Sequence, residues 1–165
     1  MESAALYPGS FDPFTNAHFG IAERSLKVFD RLVIGVARNA RKKSFFTLDE
    51  RESMIREVFK GDSRITVCSF DGLTVDYAHS IGAKAIIRGL RAVADFEYEL
   101  QMANMNRKIN CSIETLFIMT AEEYFFVSSR NVKEVACLGG DIRGLVPPTV
   151  AEQVMAKLAL PMEEP

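Results

Sequence analysis

Five short runs rich in apolar residues, Ser3–Tyr7, Leu32–Ala37, Arg64–Phe70, Ala83–Ile87 and Glu114–Thr120, alternate with stretches of helical period. Strands separated by helices cannot close as hairpins, so each helix carries the chain back to lie parallel to the strand it left. Leu32–Ala37 is apolar almost throughout, as a strand covered on both faces has to be. The pattern predicts an α/β fold over residues 1–165: one domain, Rossmann-like, with a doubly wound five-stranded parallel sheet and helices on both faces. Helices are expected over about 17–29, from Thr47 to about Lys60, from Thr74 to Gly82, over about 92–108, from Ser128 or Ser129 to Gly139, and after Pro147-Pro148. Thr47 followed by Glu50 matches a capping box. Pro8-Gly9 is expected to break the first strand, and the fourth to end just before Arg88-Gly89-Leu90-Arg91.

In open parallel sheets, ligands bind beyond the carboxyl ends of the strands. The chemically informative residues fall in those places: Pro8–His18, Arg38–Lys43, Gly72–Thr74, Arg88–Arg91 and Glu122–Arg130. The stretch Leu6–His18 runs from strand through a glycine turn into a helix, which gathers backbone N–H groups and a helix N-terminus suited to phosphate. The formal net charge of −2 argues against general nucleic-acid binding, while basic residues at loop ends suit a small anionic ligand. No apolar run is long enough for a membrane span, and the N-terminus lacks the basic patch and long apolar region of a secretory signal. Three cysteines without C-x-x-C spacing fit a reducing cytoplasm better than a disulfide framework or a zinc site.

His18 opens the first helix, where it either satisfies its own loop or donates to a docked phosphate as a neutral imidazole. Lys42 is one of three consecutive basic residues; a flexible lysine there suits a point contact to phosphate, with Arg41 and Lys43 as alternatives. Arg88 and Arg91 bracket Gly89 and offer bidentate forks, although Arg91 can equally pair with Asp95 or Glu99 on its own helix. Ser128 and Ser129 are helix caps and therefore also an anion seat. Asp12 is a distant metal candidate and a better Asx-turn acceptor. No Ser-His-Asp order or metal-ligand spacing appears, so the site is expected to hold two anions and stabilise charge without a covalent intermediate.

Tyr7-Pro8-Gly9-Ser10-Phe11-Asp12-Pro13 with Thr15-Asn16-Ala17-His18 resembles the (His/Thr)-x-Gly-His signature of the nucleotidylyltransferase superfamily. Ile87-Arg88-Gly89-Leu90-Arg91-Ala92-Val93-Ala94-Asp95-Phe96-Glu97-Tyr98-Glu99, Met105-Asn106-Arg107 and Val127-Ser128-Ser129 with Val132-Lys133-Glu134-Val135 resemble the phosphopantetheine adenylyltransferases, over about the whole chain. That resemblance implies transfer of the adenylyl group of ATP to 4′-phosphopantetheine, with Mg2+ as cofactor, a homohexamer and feedback inhibition by coenzyme A. It implies His18, Lys42 and Arg91 as catalytic. It places Ser10, Phe11, His18, Gly89, Leu90, Arg91, Glu99, Tyr124, Phe125, Phe126, Val127, Ser128, Ser129 and Arg130 on ATP. It places Gly9, Ser10, Lys42, Thr74, Arg88, Asn106 and Glu134 on 4′-phosphopantetheine. Three positions depart from the pattern: Ser10 stands for threonine, Arg130 for a third serine, and Ala17 for the signature glycine, where a first helical turn would favour alanine. The rival readings are a related transferase with another phosphorylated acceptor and a nucleotide-binding module without turnover. The absence of Gly-x-Gly-x-x-Gly after the first strand speaks against a redox Rossmann protein.

Overall fold

The computed structural model describes residues 2–38 and 44–159, with backbone only at Val93 and Ala94. Arg41, Lys42 and Lys43 lie outside the described residues. The strands are β1 (Ala4–Gly9), β2 (Arg31–Ala37), β3 (Ile65–Phe70), β4 (Ala85–Leu90) and β5 (Glu114–Met119). The helices are α1 (Asn16–Ser25), α2 (Leu48–Val58), α3 (Thr74–Ser80), α4 (Val93–Ile109), α5 (Ser129–Cys137) and α6 (Pro148–Ala159). All strands are parallel, in the order β3-β2-β1-β4-β5. The expected doubly wound sheet is what forms.

Side chains alternate across it with the period of two that a strand imposes. Ala5 and Tyr7 of β1 and Ile87 of β4 join the larger core with α1, α2, α5 and α6. Leu6 and Ile86 point the other way, into a smaller core under Val75 and Ala78 of α3. The α4 helix covers β4 and β5 beside α3.

The strand order reverses between β1 and β4, and there the sheet parts. The β1–β4 ladder pairs Ala5 with Ala85 and Leu6 with Ile86. The β1–β2 ladder continues to Gly9, and β4–β5 to Leu90. Pro8 has no N–H to give to a ladder, so it sits comfortably where β1 turns its edge to the opening.

Two strand ends therefore differ from expectation. Pro8-Gly9 does not break β1; both residues stay in register with Gly35 and Val36 of β2. Arg88-Gly89-Leu90 belongs to β4 rather than to the loop after it, held by pairing with Phe117, Ile118 and Met119 of β5. Helix α1 stops at Ser25, four residues short of Phe29, because the Ser25 hydroxyl bonds back to the Ile21 carbonyl and the next residues tighten into turns. The Thr47–Glu50 capping box is formed as expected, and Gly61, Gly82 and Gly139 take positive φ after their helices.

Candidate active site

The turn from β1 into α1 is built around Phe11, whose φ of 47° is left-handed. Its buried ring folds back over Gly9, where an added Cβ would lie 2.7 Å from the ring, so glycine is needed there. The ring meets Tyr7 and His18 edge-on at 5.3 and 5.2 Å. Thr15 caps α1 and forms a reciprocal box with His18 in the place usually held by Glu or Gln. The Thr15 N–H donates to His18 Nδ1 at 3.0 Å, so the neutral ring carries its proton on Nε2. Burial among aromatic rings, and secondarily the Arg91 charge, lowers the His18 pKa to about 4. Among the described residues, His18 is thus both satisfied in its own loop and left with a donor that has no partner. The two readings of this residue do not compete.

Asp12 is not an Asx-turn acceptor. Its carboxylate takes the N–H groups of Phe45 and Phe46 at 2.9 and 2.8 Å and the Lys133 ammonium at 2.8 Å. It ties the β1–α1 turn to the chain entering α2 and to α5. Buried Arg51 adds to this clamp, donating to the Ser10 carbonyl at 2.7 Å and to the Thr47 carbonyl. Burial lowers the pKa of Arg51 and the nearby Asp12 charge opposes that. Arg51 and Lys133 lie within helices and carry no loop-end signal; only contacts across the fold identify them.

Arg88 points from β4 toward the parting of the sheet. It holds Glu99 of α4 through Nε and Nη2 at 2.7 and 2.6 Å and donates through Nη1 to the Pro8 carbonyl at 3.1 Å. Burial works against its charge, but the Glu99 carboxylate outweighs that and raises the pKa. Glu99 is therefore the partner of Arg88, while Arg91 pairs with Asp95 at 3.1 Å, one turn along α4. Burial also pushes the Tyr7 phenol up, with Arg88 opposing, so Tyr7 stays protonated. A Cβ at Gly89 would overlap the Ile21 side chain at 2.2 Å; glycine lets α1 lie close on β4.

Of the two serine caps, Ser128 is the one used: its hydroxyl accepts from the Asn131 N–H at 3.0 Å. Ser129 instead donates to the Pro13 carbonyl at 2.8 Å, which locks the start of α5 onto the β1–α1 turn. The N–H groups of Ser129 and Arg130, which precede Asn131 in the first turn of α5, have no intrahelical partner and suit an anion.

These parts frame two clefts. One, of about 460 Å³, is lined by Tyr7–Phe11, Ala17, His18, Ile21, Arg88, Gly89, Arg91, Asp95, Glu99, Thr120 and Val127–Arg130. The other, of about 370 Å³, is lined by Pro8–Ser10, Ala37, Thr74, Ile86, Arg88, Tyr98, Glu99, Met102, Ala103, Asn106 and Thr115. Pro8, Gly9, Ser10, Arg88 and Glu99 line both. A still larger concavity, about 520 Å³, opens by Phe19, Phe59 and Arg64, away from this chemistry. Size alone does not pick the site.

Most sequence-derived candidates meet in the two joined clefts. Leu90 is buried in β4 beneath the first. Tyr124 ends a short 3-10 turn, Glu122–Tyr124, and Phe125 and Phe126 are exposed after it; none of the three lines either cleft. Glu134 is on the exposed side of α5 and also lines neither. Thr120, just past β5, lines the first cleft without having been singled out by any motif. Among the described residues no group of three or more His, Cys, Asp or Glu gathers to hold a metal, and the Asp12 oxygens already serve three donors.

The cytidylyltransferase-like family matches residues 6–135. The phosphopantetheine adenylyltransferase of Anaeromyxobacter dehalogenans (strain 2CP-C) is 56% identical over 161 residues, 98% of each chain. That of Geotalea daltonii is 54% identical over 153 residues, 93% of this chain and 95% of the relative. The chain belongs to the phosphopantetheine adenylyltransferase family. Membership gives the departures at positions 10, 17 and 130 a structural context. Ala17 is buried in the first turn of α1 with no positive φ, so its methyl group supports the helix and lies in the cleft wall. Ser10 and Arg130 line the first cleft, and Ser10 the second as well. A solved structure described as a nicotinate-nucleotide adenylyltransferase of Vibrio parahaemolyticus superposes with a TM-score of 0.74, covering 96% of this chain and 95% of that one. At 17% identity the likeness is one of fold.

Proposed function

We propose that this chain, acting as one domain, transfers the adenylyl group of ATP to 4′-phosphopantetheine, giving dephospho-coenzyme A and pyrophosphate. The observation that carries the reading is the pair of clefts joined at Pro8–Ser10 and Arg88. The first, with His18, Arg91, Arg130 and the start of α5, suits a nucleotide triphosphate. The second, with Thr74, Met102, Ala103 and Asn106, suits a long arm of mixed polarity that brings its phosphate to the junction.

A phosphate oxygen of the acceptor forms a bond to the α-phosphorus of ATP as the bond to the bridging oxygen breaks, and pyrophosphate leaves with that electron pair. The acceptor is already anionic, so no general base is required. The His18 Nε2–H donates to a non-bridging α-phosphate oxygen, where charge builds in the transition state. Three of the five N–H groups of Arg88 are engaged within the described residues, which leaves two to donate to the acceptor phosphate. Lys42 joins these as a point charge on the strength of its place in the sequence.

Magnesium belongs to the same proposal as the partner of the ATP phosphates, since the described residues offer no protein cage for it. Coenzyme A, which carries the same pantetheine arm, is proposed as feedback inhibitor at the second cleft. A homohexamer and a cytoplasmic location complete the reading. Support for self-association comes from exposed Phe96, Leu100, Met105 and Ile109 on α4 and Leu116 and Met119 on edge strand β5. No helix among the described residues is long and apolar enough to cross a membrane.

Incubation with ATP, Mg2+ and candidate acceptors tests the reading. Pyrophosphate release should depend on 4′-phosphopantetheine. Release with nicotinamide mononucleotide or glycerol phosphate instead would move the chain to another acceptor, and ATP binding without release would make it a nucleotide-binding module.

A further inference from the structure

Thr120 follows β5 at its carboxyl end and is only 4% exposed, in the wall of the nucleotide cleft beside Ile21, Gly89 and Val127. Its backbone is fixed: the N–H donates to the Leu90 carbonyl at 2.8 Å. Among the described residues, its Oγ1 is the buried side-chain polar atom that has no hydrogen-bond partner. A hydroxyl withdrawn from water without a partner destabilises the protein that carries it. Valine would fill the same space without that penalty. An orphaned hydroxyl in the wall of a ligand cleft is therefore a group waiting for a ligand atom.

Strand order says which part of the ligand it meets. The phosphate-directed groups, His18, Ser10 and Ser129, surround the end of β1, and β4 lies between β1 and β5. Two strand spacings, about 10 Å, thus separate Thr120 from the end of β1. A nucleotide with its α-phosphate at His18 must lay its nucleoside across β4 toward β5, along the cleft wall formed by Ile21, Gly89 and Thr120. We infer that Thr120 Oγ1 hydrogen-bonds the nucleoside half of ATP, at the 6-amino group of the base or the ribose 2′-hydroxyl, and helps select the nucleotide. The inference rests on the proposed placement of ATP in this cleft and adds a residue that no sequence motif marks.

The experiment compares wild type, Thr120→Val and Thr120→Ser in the full chain. Thermal unfolding without ligand is measured beside calorimetric titration with ATP, 2′-deoxy-ATP and purine riboside triphosphate, which lacks the 6-amino group. Thr120→Val should leave the ligand-free Tm unchanged or raise it, while weakening ATP binding about five- to tenfold. Thr120→Ser should keep ATP affinity within about twofold of wild type, because it retains the hydroxyl. The affinity of 4′-phosphopantetheine should not change in either variant. The Thr120→Val deficit should vanish for the analogue that lacks the contacted group; both analogues still showing it would assign the loss to shape and overturn the contact. A lower ligand-free Tm in Thr120→Val would also overturn it, by revealing a structural partner for the hydroxyl, as would equal ATP affinity of valine and threonine. A wild-type protein that binds ATP yet releases no pyrophosphate with 4′-phosphopantetheine would sink the proposed reaction and leave the Thr120 contact standing.

Discussion

At the scale of single residues, the site is set by how each polar atom is satisfied. His18 receives the Thr15 N–H on Nδ1 and is desolvated by Phe11 and Phe14, so it stays neutral and keeps one directed donor. His18→Ala should lower kcat by about two to three orders of magnitude, as loss of one transition-state donor does. ATP affinity should change far less; near-normal turnover would remove the assigned role. With its native pKa near 4 against an ordinary 6.5, the unfolded chain binds a proton that the native one refuses. That contribution costs stability as the pH falls from 6.5 toward 4 and then levels off. In a histidine NMR titration, the His18 resonances should hold still from pH 8 to about 5.5, and a midpoint near 6.5 would contradict the neutral-donor geometry.

Elements matter through what joins them. The turn after β1, the chain entering α2 and the start of α5 come from distant stretches of sequence, and Asp12 binds all three. Asp12→Asn keeps the shape but cannot accept from every donor, and it leaves the Lys133 ammonium without its carboxylate. The unfolding free energy should fall by about 2 kcal/mol in urea denaturation. An unchanged midpoint would mean the three segments dock without this clamp. The sequence made Asp12 a local turn residue because an aspartate before proline carries that signal by itself; its partners lie 33, 34 and 121 residues away. The ends of β1 and β4 were misjudged for a related reason. Pro8-Gly9 and Arg88-Gly89 carry turn signals, and neighbouring strands override them by supplying ladders.

Across the whole molecule, the reversal of strand order between β1 and β4 opens the sheet where the two clefts join. The surface around α4 and the edge strand β5 exposes apolar side chains, among them Phe96, Met105 and Leu116. If copies of the chain cover that face, sedimentation velocity at micromolar concentration should give a hexamer, and Leu116→Lys should shift it toward smaller species with the fold retained by circular dichroism. A monodisperse monomer for the unaltered chain would leave the hexamer unsupported.

The alternation of apolar runs with helical stretches was enough to determine a parallel doubly wound sheet, because period and spacing are local properties of the chain. The capping box at Thr47, the turn from β1 into α1 that ends at His18 and the serine-capped start of α5 were legible in the same way, each being encoded within a few residues. Tertiary structure decided what those groups do to one another. It gave Glu99 to Arg88 and Asp95 to Arg91, where spacing allowed Arg91 either carboxylate. It made Asp12 a clamp, placed Arg51 under Ser10, and left the Thr120 hydroxyl without a partner among the described residues, in the wall of the first cleft. Hydrogen-bond partners and burial are settled by packing between segments remote in sequence, and no local pattern carries that information.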